Sequence, residues 1–143
     1  MILVDANLLI YAVNADLPDH LRSKTWLEAQ LSGTDLVGLP WVAMLAFLRV
    51  CTNGRVFNNP LSVDSAVSYV DEWLALPSVR AVAPGPHHWK FLRELLITTG
   101  TGGNLTTDTH IAAMAMEQGC AVYSADNDFK RFTGIRHVNP LVS

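Results

Sequence analysis

Apolar and polar positions along the chain fall into short runs of two kinds. Ile2, Leu3 and Val4 are consecutive apolar residues without alternation, the pattern of a strand buried on both faces, and Asp5 ends the run. A helix start follows from Asn7 to Ile10, so Asp5 is expected where a central parallel strand gives way to a loop. Ligands of open α/β sheets bind at that edge. Short apolar runs recur at 36–39, 79–83 and 121–123, and 136–138 reads as a short edge strand.

Between these runs the spacing turns helical. Residues 20–31 start behind Pro18 and Asp19, offer Leu21, Trp26, Leu27 and Leu31 to one face, and stop at Gly33. Residues 41–50 form an apolar helix with Pro40 in its first turn and Arg49 as its only charge. After a loop over 53–60, residues 63–76 place Ala66, Val67, Val70, Trp73 and Leu74 against a core, and Pro77 ends them. Residues 86–99 predict another helix, and 100–104 a glycine-rich connector. The helix over 105–118 is then expected to use Asn104 as N-cap and Gly119 as stop. Its positions 108, 111, 112 and 115 share one stripe, on which Asp108 accompanies Ile111, Ala112 and Ala115. A carboxylate there needs a partner, because an isolated buried charge is costly.

Strands alternating with helices over the whole length predict one α/β domain spanning residues 1–143. It is a three-layer sandwich with a central, mostly parallel sheet flanked by helices. Asp5 and Asp126 each follow a strand, and Asp108 opens the helix that feeds the strand before Asp126. All three can therefore meet at one sheet edge.

Composition narrows the function classes. With 50% hydrophobic and 16% charged residues the chain reads as a globular domain with room for an oligomer interface and no disordered tail. A formal net charge of -3 gives no general attraction to nucleic acid, so any such contact needs a local basic patch. Cys51 and Cys120 form neither a disulfide framework nor a CxxC site and read as two buried thiols in a reducing compartment. Asp5 and Asn7 interrupt the first apolar run and no basic leader precedes it, so neither a signal peptide nor a membrane span is expected, and the location expected is cytoplasmic.

Converging carboxylates repel one another and hold their protons unless a cation joins them. A hard ion such as Mg²⁺ or Mn²⁺ takes a few carboxylate oxygens, keeps several waters, and supports hydrolysis of a phosphodiester. Each acid also has a plain structural role. Asp5 can cap the next helix, Asp108 can face a helix dipole, and Asp126 and Asp128 can be turn residues.

The chain resembles PIN-domain ribonucleases, and within them VapC-type toxins of toxin-antitoxin pairs. The resemblance is carried by VDANLLIYA at the start, GNLTTDTHIAAMA before the fourth strand, SADNDFKRF after it, and the closing NPL. It implies that Asp5, Asp108 and Asp126 are catalytic and bind Mg²⁺ or Mn²⁺, with Asp128 as an auxiliary. The family's Glu in the helix after the second strand falls in LAFLR, where this chain has Ala46, a departure that supports one metal better than two. The resemblance further implies an endoribonuclease acting on structured RNA such as tRNA or rRNA, a homodimer, and a cognate antitoxin whose tail covers the acidic cleft.

Arg49, Arg55, Lys90, Arg93, Lys130, Arg131 and Arg136 are candidate phosphate contacts, and each is equally explained as a solvated surface charge. Trp41 and Trp89 suit packing or an interface better than base stacking. No histidine is assigned to catalysis, since His110 points away from Asp108 on its helix and His87 and His88 diverge. The run TTGTGGN lacks the GK[ST] ending of a phosphate loop. Two other classes stand beside the nuclease. One is a PIN-like binding module that lost activity with the missing Glu. The other is a phosphate-transfer receiver domain, which lacks here its acidic pair beside the first strand and its lysine after the last.

Overall fold

Strand β1 (Ile2–Val4) pairs in parallel with β2 (Val37–Pro40) on one side and β4 (Ala121–Tyr123) on the other. Outside these, β3 (Val79–Val82) joins β2 and β5 (His137–Val138) joins β4, so the sheet is all parallel in the order β3-β2-β1-β4-β5. The structure is a computed structural model that describes residues 1–100 and 102–142. Thr101, inside the glycine-rich connector expected from the sequence, lies outside the described residues, as does Ser143.

Among the described residues six α-helices cover the sheet: α1 (Ala6–Val13), α2 (His20–Leu31), α3 (Trp41–Cys51), α4 (Val63–Ala75), α5 (His88–Thr99) and α6 (Thr106–Gln118). Side chains alternate across a strand, so β1 sends Val4 into one core and Leu3 into the other. The first core joins Val4, Val37 and Leu39 to Leu8 and Leu9 of α1, Leu27 of α2, Phe47 of α3 and Trp73 of α4. Phe47 meets Trp73 edge-on at 4.9 Å between ring centroids. The second core joins Leu3, Val82 and Val122 to Leu95 of α5 and Ile111, Ala112 and Ala115 of α6. Burying each large apolar side chain stabilises the fold by about 1.5–3 kcal/mol. Two helical layers around a parallel sheet are the architecture that the sequence predicts.

On the α5/α6 side of β2 the approach is tight. A Cβ at Gly38 would lie 2.7 Å from Leu3 Cδ2 and 2.9 Å from Val82 Cγ2, so only glycine lets β2 pass between these side chains. Gly119 ends α6 in the left-handed region at φ 67°, and the Cys120 N–H reaches back to the Ala115 carbonyl at 2.9 Å.

Several local expectations are corrected. Leu21 is 72% exposed, and the inner face of α2 carries Ser23 instead, whose hydroxyl donates to the Leu8 carbonyl at 2.7 Å. A small polar residue with its hydrogen bond satisfied allows α1 and α2 to approach closely. Val67 and Leu74 of α4 are exposed because its inner stripe runs through Ala66, Val70 and Trp73. Asn104 does not cap α6. It sits in a 3-10 turn over Gly103–Leu105, opened by Gly103 at φ 54°, and among the described residues no side chain caps the helix. Cys51 and Cys120 are free and buried, and among the described residues no helix is long and apolar enough to cross a membrane.

Candidate metal centre

The sheet grows from β1 outward to β3 and then returns to the other side of β1 to place β4, so the switch in direction lies between β1 and β4. The adjoining C-terminal ends of these strands form a crevice of the kind that binds ligands in open α/β sheets. Asp5 terminates β1 there, and its N–H still donates to the Tyr123 carbonyl at 3.0 Å. Its carboxylate also starts α1, Oδ1 accepting from the Ala6 N–H at 2.8 Å.

The other oxygen of Asp5 ties the two strand ends together. Oδ2 accepts from the Ser124 hydroxyl at 2.8 Å and from Asn7 Nδ2 at 3.4 Å. Ser124 Oγ in turn accepts from Asn7 Nδ2 at 3.1 Å and from the Asp126 N–H at 3.0 Å. Asn7 Oδ1 accepts from the Ala125 N–H at 3.2 Å, and His137 Nε2 lies 2.9 Å from the Ser124 carbonyl. The loop after β4 is thus clamped onto the start of α1. Asp126 then opens a 3-10 turn over Asn127–Arg131, its Oδ1 accepting from the Asp128 N–H at 2.8 Å.

This turn carries Asp126 and Asp128 to Asp108 in the first turn of α6. One carboxylate oxygen from each of the three lies within 4.8 Å of the others. All three acids are half-buried, whereas Asp5 is buried at 8% exposure. Burial, with the charge of Asp126 added, raises the Asp5 carboxyl above the usual range against the opposing bonds from Ser124 and Ala6. Asp108 is pushed up to about 6, first by burial and then by the charges of Asp5, Asp126 and Asp128, while Arg131 opposes the rise.

Of the sequence-derived residues, Asp108 and Asp126 therefore meet at one point. Asp5 stands beside them, coupled to Asp126 through Ser124, and Asp128 comes closer than its auxiliary role suggested. Ala46, half-buried on α3, offers no ligand atom. Sequence reasoning passed over Ser124, Asn7 and Tyr11. Tyr11 lies one turn beyond Asn7 on α1, and burial, then the charges of Asp19, Asp126 and Asp5, raise its phenol above the usual range. The spacing of Asn7 two residues after Asp5, and of Ser124 two before Asp126, was the available signal.

The donor set suits a hard divalent cation. Oxygens around one Mg²⁺ or Mn²⁺ at about 2.0–2.1 Å fall roughly 3 to 4 Å from one another, a small inward movement from the spacing seen. Carboxyls held above their usual range are groups that an added positive charge would relax. With no nitrogen or sulfur in the cluster, softer metals have no preferred ligand.

Other features lie apart. His88 Nε2 meets His110 Nδ1 at 2.8 Å between α5 and α6, consistent with His110 pointing away from Asp108. Arg136 lines a cleft with Met1, Ile2 and Cys120 at the opposite, N-terminal ends of the strands, so it is no rim residue of the crevice. A groove of about 450 Å³ lined by His20, Leu27, Tyr69 and Trp73 contains none of the four aspartates.

A parallel sheet with this switch point and an acidic cluster across it is the arrangement of a PIN domain. The model of the family described as "PIN domain" matches residues 2–135, and the chain belongs to that family. Within it the chain falls in the VapC group. It is 44% identical over 140 residues to Ribonuclease VapC37 of Mycobacterium tuberculosis, covering 98% of this chain and 97% of that protein. It is also 39% identical over 141 residues to Ribonuclease VapC33 of the same species, covering 99% of both. Among solved structures, VapBC2 from Rickettsia felis, bound to a promoter DNA fragment, shares the fold at TM-score 0.70 and 18% identity over 97% of this chain and 98% of that one. Mycobacterium tuberculosis VapC20, a sarcin-ricin loop cleaving toxin, shares it at TM-score 0.69 and 19% identity over 95% and 99%.

Proposed function

We propose that this protein is a metal-dependent endoribonuclease, the toxin of a VapC-type pair, with Asp5, Asp108 and Asp126 as its catalytic and metal-binding residues and Asp128 as a further ligand. The observation that carries the reading is the set of Asp108, Asp126 and Asp128 oxygens within 4.8 Å of one another, beside buried Asp5 at the switch point. Bound Mg²⁺ or Mn²⁺ supplies neutralisation of phosphate charge and acidification of water. The chain's own residues do the rest. Ser124 and Asn7 fix the Asp5 carboxylate and hold Asp126 in register, and the 3-10 turn holds Asp128 in line. The substrate class is structured RNA such as tRNA or rRNA, a reading supported by the relatives VapC37 and VapC33 being ribonucleases and by VapC20 being a sarcin-ricin loop cleaving toxin.

A cognate antitoxin is the partner, supported by the VapBC complexes among the structural neighbours. A homodimer is supported by exposed apolar residues, Trp41 and Leu45 on α3 and Trp89 and Ile97 on α5, the kind of surface an interface covers. The location is the cytoplasm, where RNA and antitoxin are both present.

The test is cleavage of total bacterial RNA by the purified protein with Mg²⁺, with Mn²⁺ and with EDTA, beside Asp108→Asn and Asp5→Ala. Discrete fragments that need the metal and vanish in both folded variants are expected. Metal binding and RNA docking without fragments would favour the binding-module reading, for which Ala46 is the one observation.

A further inference from the structure

The structure assigns Arg131 as the residue that grips the RNA phosphate at the acidic crevice, a substrate-binding contact that rests on the nuclease reading above. Its guanidinium Nη2 lies 3.2 Å from Asp128 Oδ1, an ion pair at the end of the 3-10 turn. Only two ion pairs occur among the described residues, and the other, Lys24–Glu28 on α2, is on a different element. Arg22 and Arg80, by contrast, spend their guanidinium groups on backbone carbonyls at Leu141 and at Pro77 and Val79.

Charge balance calls for such a residue. Four aspartates around one divalent ion leave an excess of negative charge facing an anionic phosphodiester, on a protein whose formal net charge is already -3. A cation must stand against the carboxylates for RNA to approach them. Arg131 stands there, and its charge is felt as far as Asp108.

The pair is also free to exchange partners. Both side chains are 45% exposed, and a solvated i,i+3 pair contributes little to stability. A cation taking up Asp128 weakens that carboxylate's hold on the guanidinium. The planar N–H fork can then turn a few ångströms outward to a phosphate oxygen, for which guanidinium geometry is well matched. Lys130, the preceding residue, is exposed and pairs with none of these acids among the described residues.

The experiment measures initial cleavage rates of a 5′-fluorescein-labelled stem-loop RNA, taken from a fragment that the wild-type protein cuts in total RNA. Wild type, Arg131→Ala and Arg131→Lys are compared in Mn²⁺ at several salt concentrations, and the Mn²⁺ affinity of each free protein is measured by calorimetry. Loss of a charged hydrogen bond predicts KM raised by about ten- to a hundredfold in Arg131→Ala, with kcat changed by less than about threefold. Arg131→Lys recovers part of KM, Mn²⁺ affinity stays within about twofold, and the slope of log KM against log salt falls by about one. If Arg131 served only to position Asp128, Mn²⁺ affinity and kcat would fall together while KM held, and the inference would be overturned. An unchanged KM would overturn it as well. Absence of metal-dependent cleavage by the wild type is a separate result, which removes the nuclease reading and this inference with it.

Discussion

Ser124 Oγ donates to Asp5 Oδ2 at 2.8 Å, joining residues 119 positions apart in sequence at the seam between β1 and β4. The same oxygen accepts from Asn7 Nδ2 and the Asp126 N–H, so one fully buried hydroxyl uses its donor and both acceptor sites. Asp5 and the loop bearing Asp126 and Asp128 are therefore set by a common atom.

Ser124→Ala removes all three bonds, leaving the Asp126 N–H without its acceptor and Asp5 Oδ2 with only the 3.4 Å bond from Asn7 Nδ2. Unsatisfied buried groups cost about 1–3 kcal/mol, and that is the expected loss of stability in urea denaturation. RNA cleavage is expected to fall by at least about tenfold at saturating Mn²⁺, since the acids lose their common anchor. A variant as stable and as active as the wild type would remove Ser124 from this role.

Asp108→Asn separates the cost of its charge from its use. The Asp108 carboxyl is pushed up to about 6 by burial and then by the charges of Asp5, Asp126 and Asp128. The folded state then binds the proton more tightly than the unfolded state does, so ionisation opposes folding. That penalty is absent below the ordinary carboxylate range near 3.8 and is complete once the pH has risen through about 6. In EDTA, Asp108→Asn is expected to melt above the wild type at pH 8 and to converge with it towards pH 4. Adding Mn²⁺ should raise the wild-type melting temperature more than that of the variant. A variant that melts below the wild type at pH 8 without metal would contradict the argument.

How much of this was legible in the sequence follows from the range of each interaction. Ile2–Val4, Ala121–Tyr123 and the stripe of Ile111, Ala112 and Ala115 are written in local apolar patterns, and all lie where those patterns place them. Asp5 was legible because it ends an apolar run, and Asp126 because it follows one at the next strand of the sheet. The Ser124 bridge was not, since a serine in a short loop has no periodicity and its partner lies on a distant strand. Leu21 misled because hydrophobicity alone cannot tell the inner face of α2 from its outer one. There the deciding residue was Ser23, with its bond to the Leu8 carbonyl. Asp128 was underweighted because the 3-10 turn that swings it towards Asp108 depends on the Asp126 cap, a tertiary outcome of the Ser124 clamp.

Ala46 carries the last prediction, because the segment LAFLR places it where the family's helix-borne Glu is expected. It is half-buried on α3, between Leu45, which is 60% exposed, and Phe47, which is fully buried. A longer side chain at a half-buried position can extend outward without displacing core atoms, so Ala46→Glu should fold. Carboxylate count tunes the affinity of oxygen sites for divalent ions, and a further acid is expected to tighten Mn²⁺ binding by at least roughly threefold. Calorimetry on Ala46→Glu beside Ala46→Gln separates charge from size, the Gln variant being expected to match the wild type. Faster RNA cleavage by Ala46→Glu at limiting Mn²⁺ would follow from fuller occupancy. Unchanged affinity in both variants would mean that α3 does not reach the crevice, leaving Asp128 as the acid that completes the set in this chain.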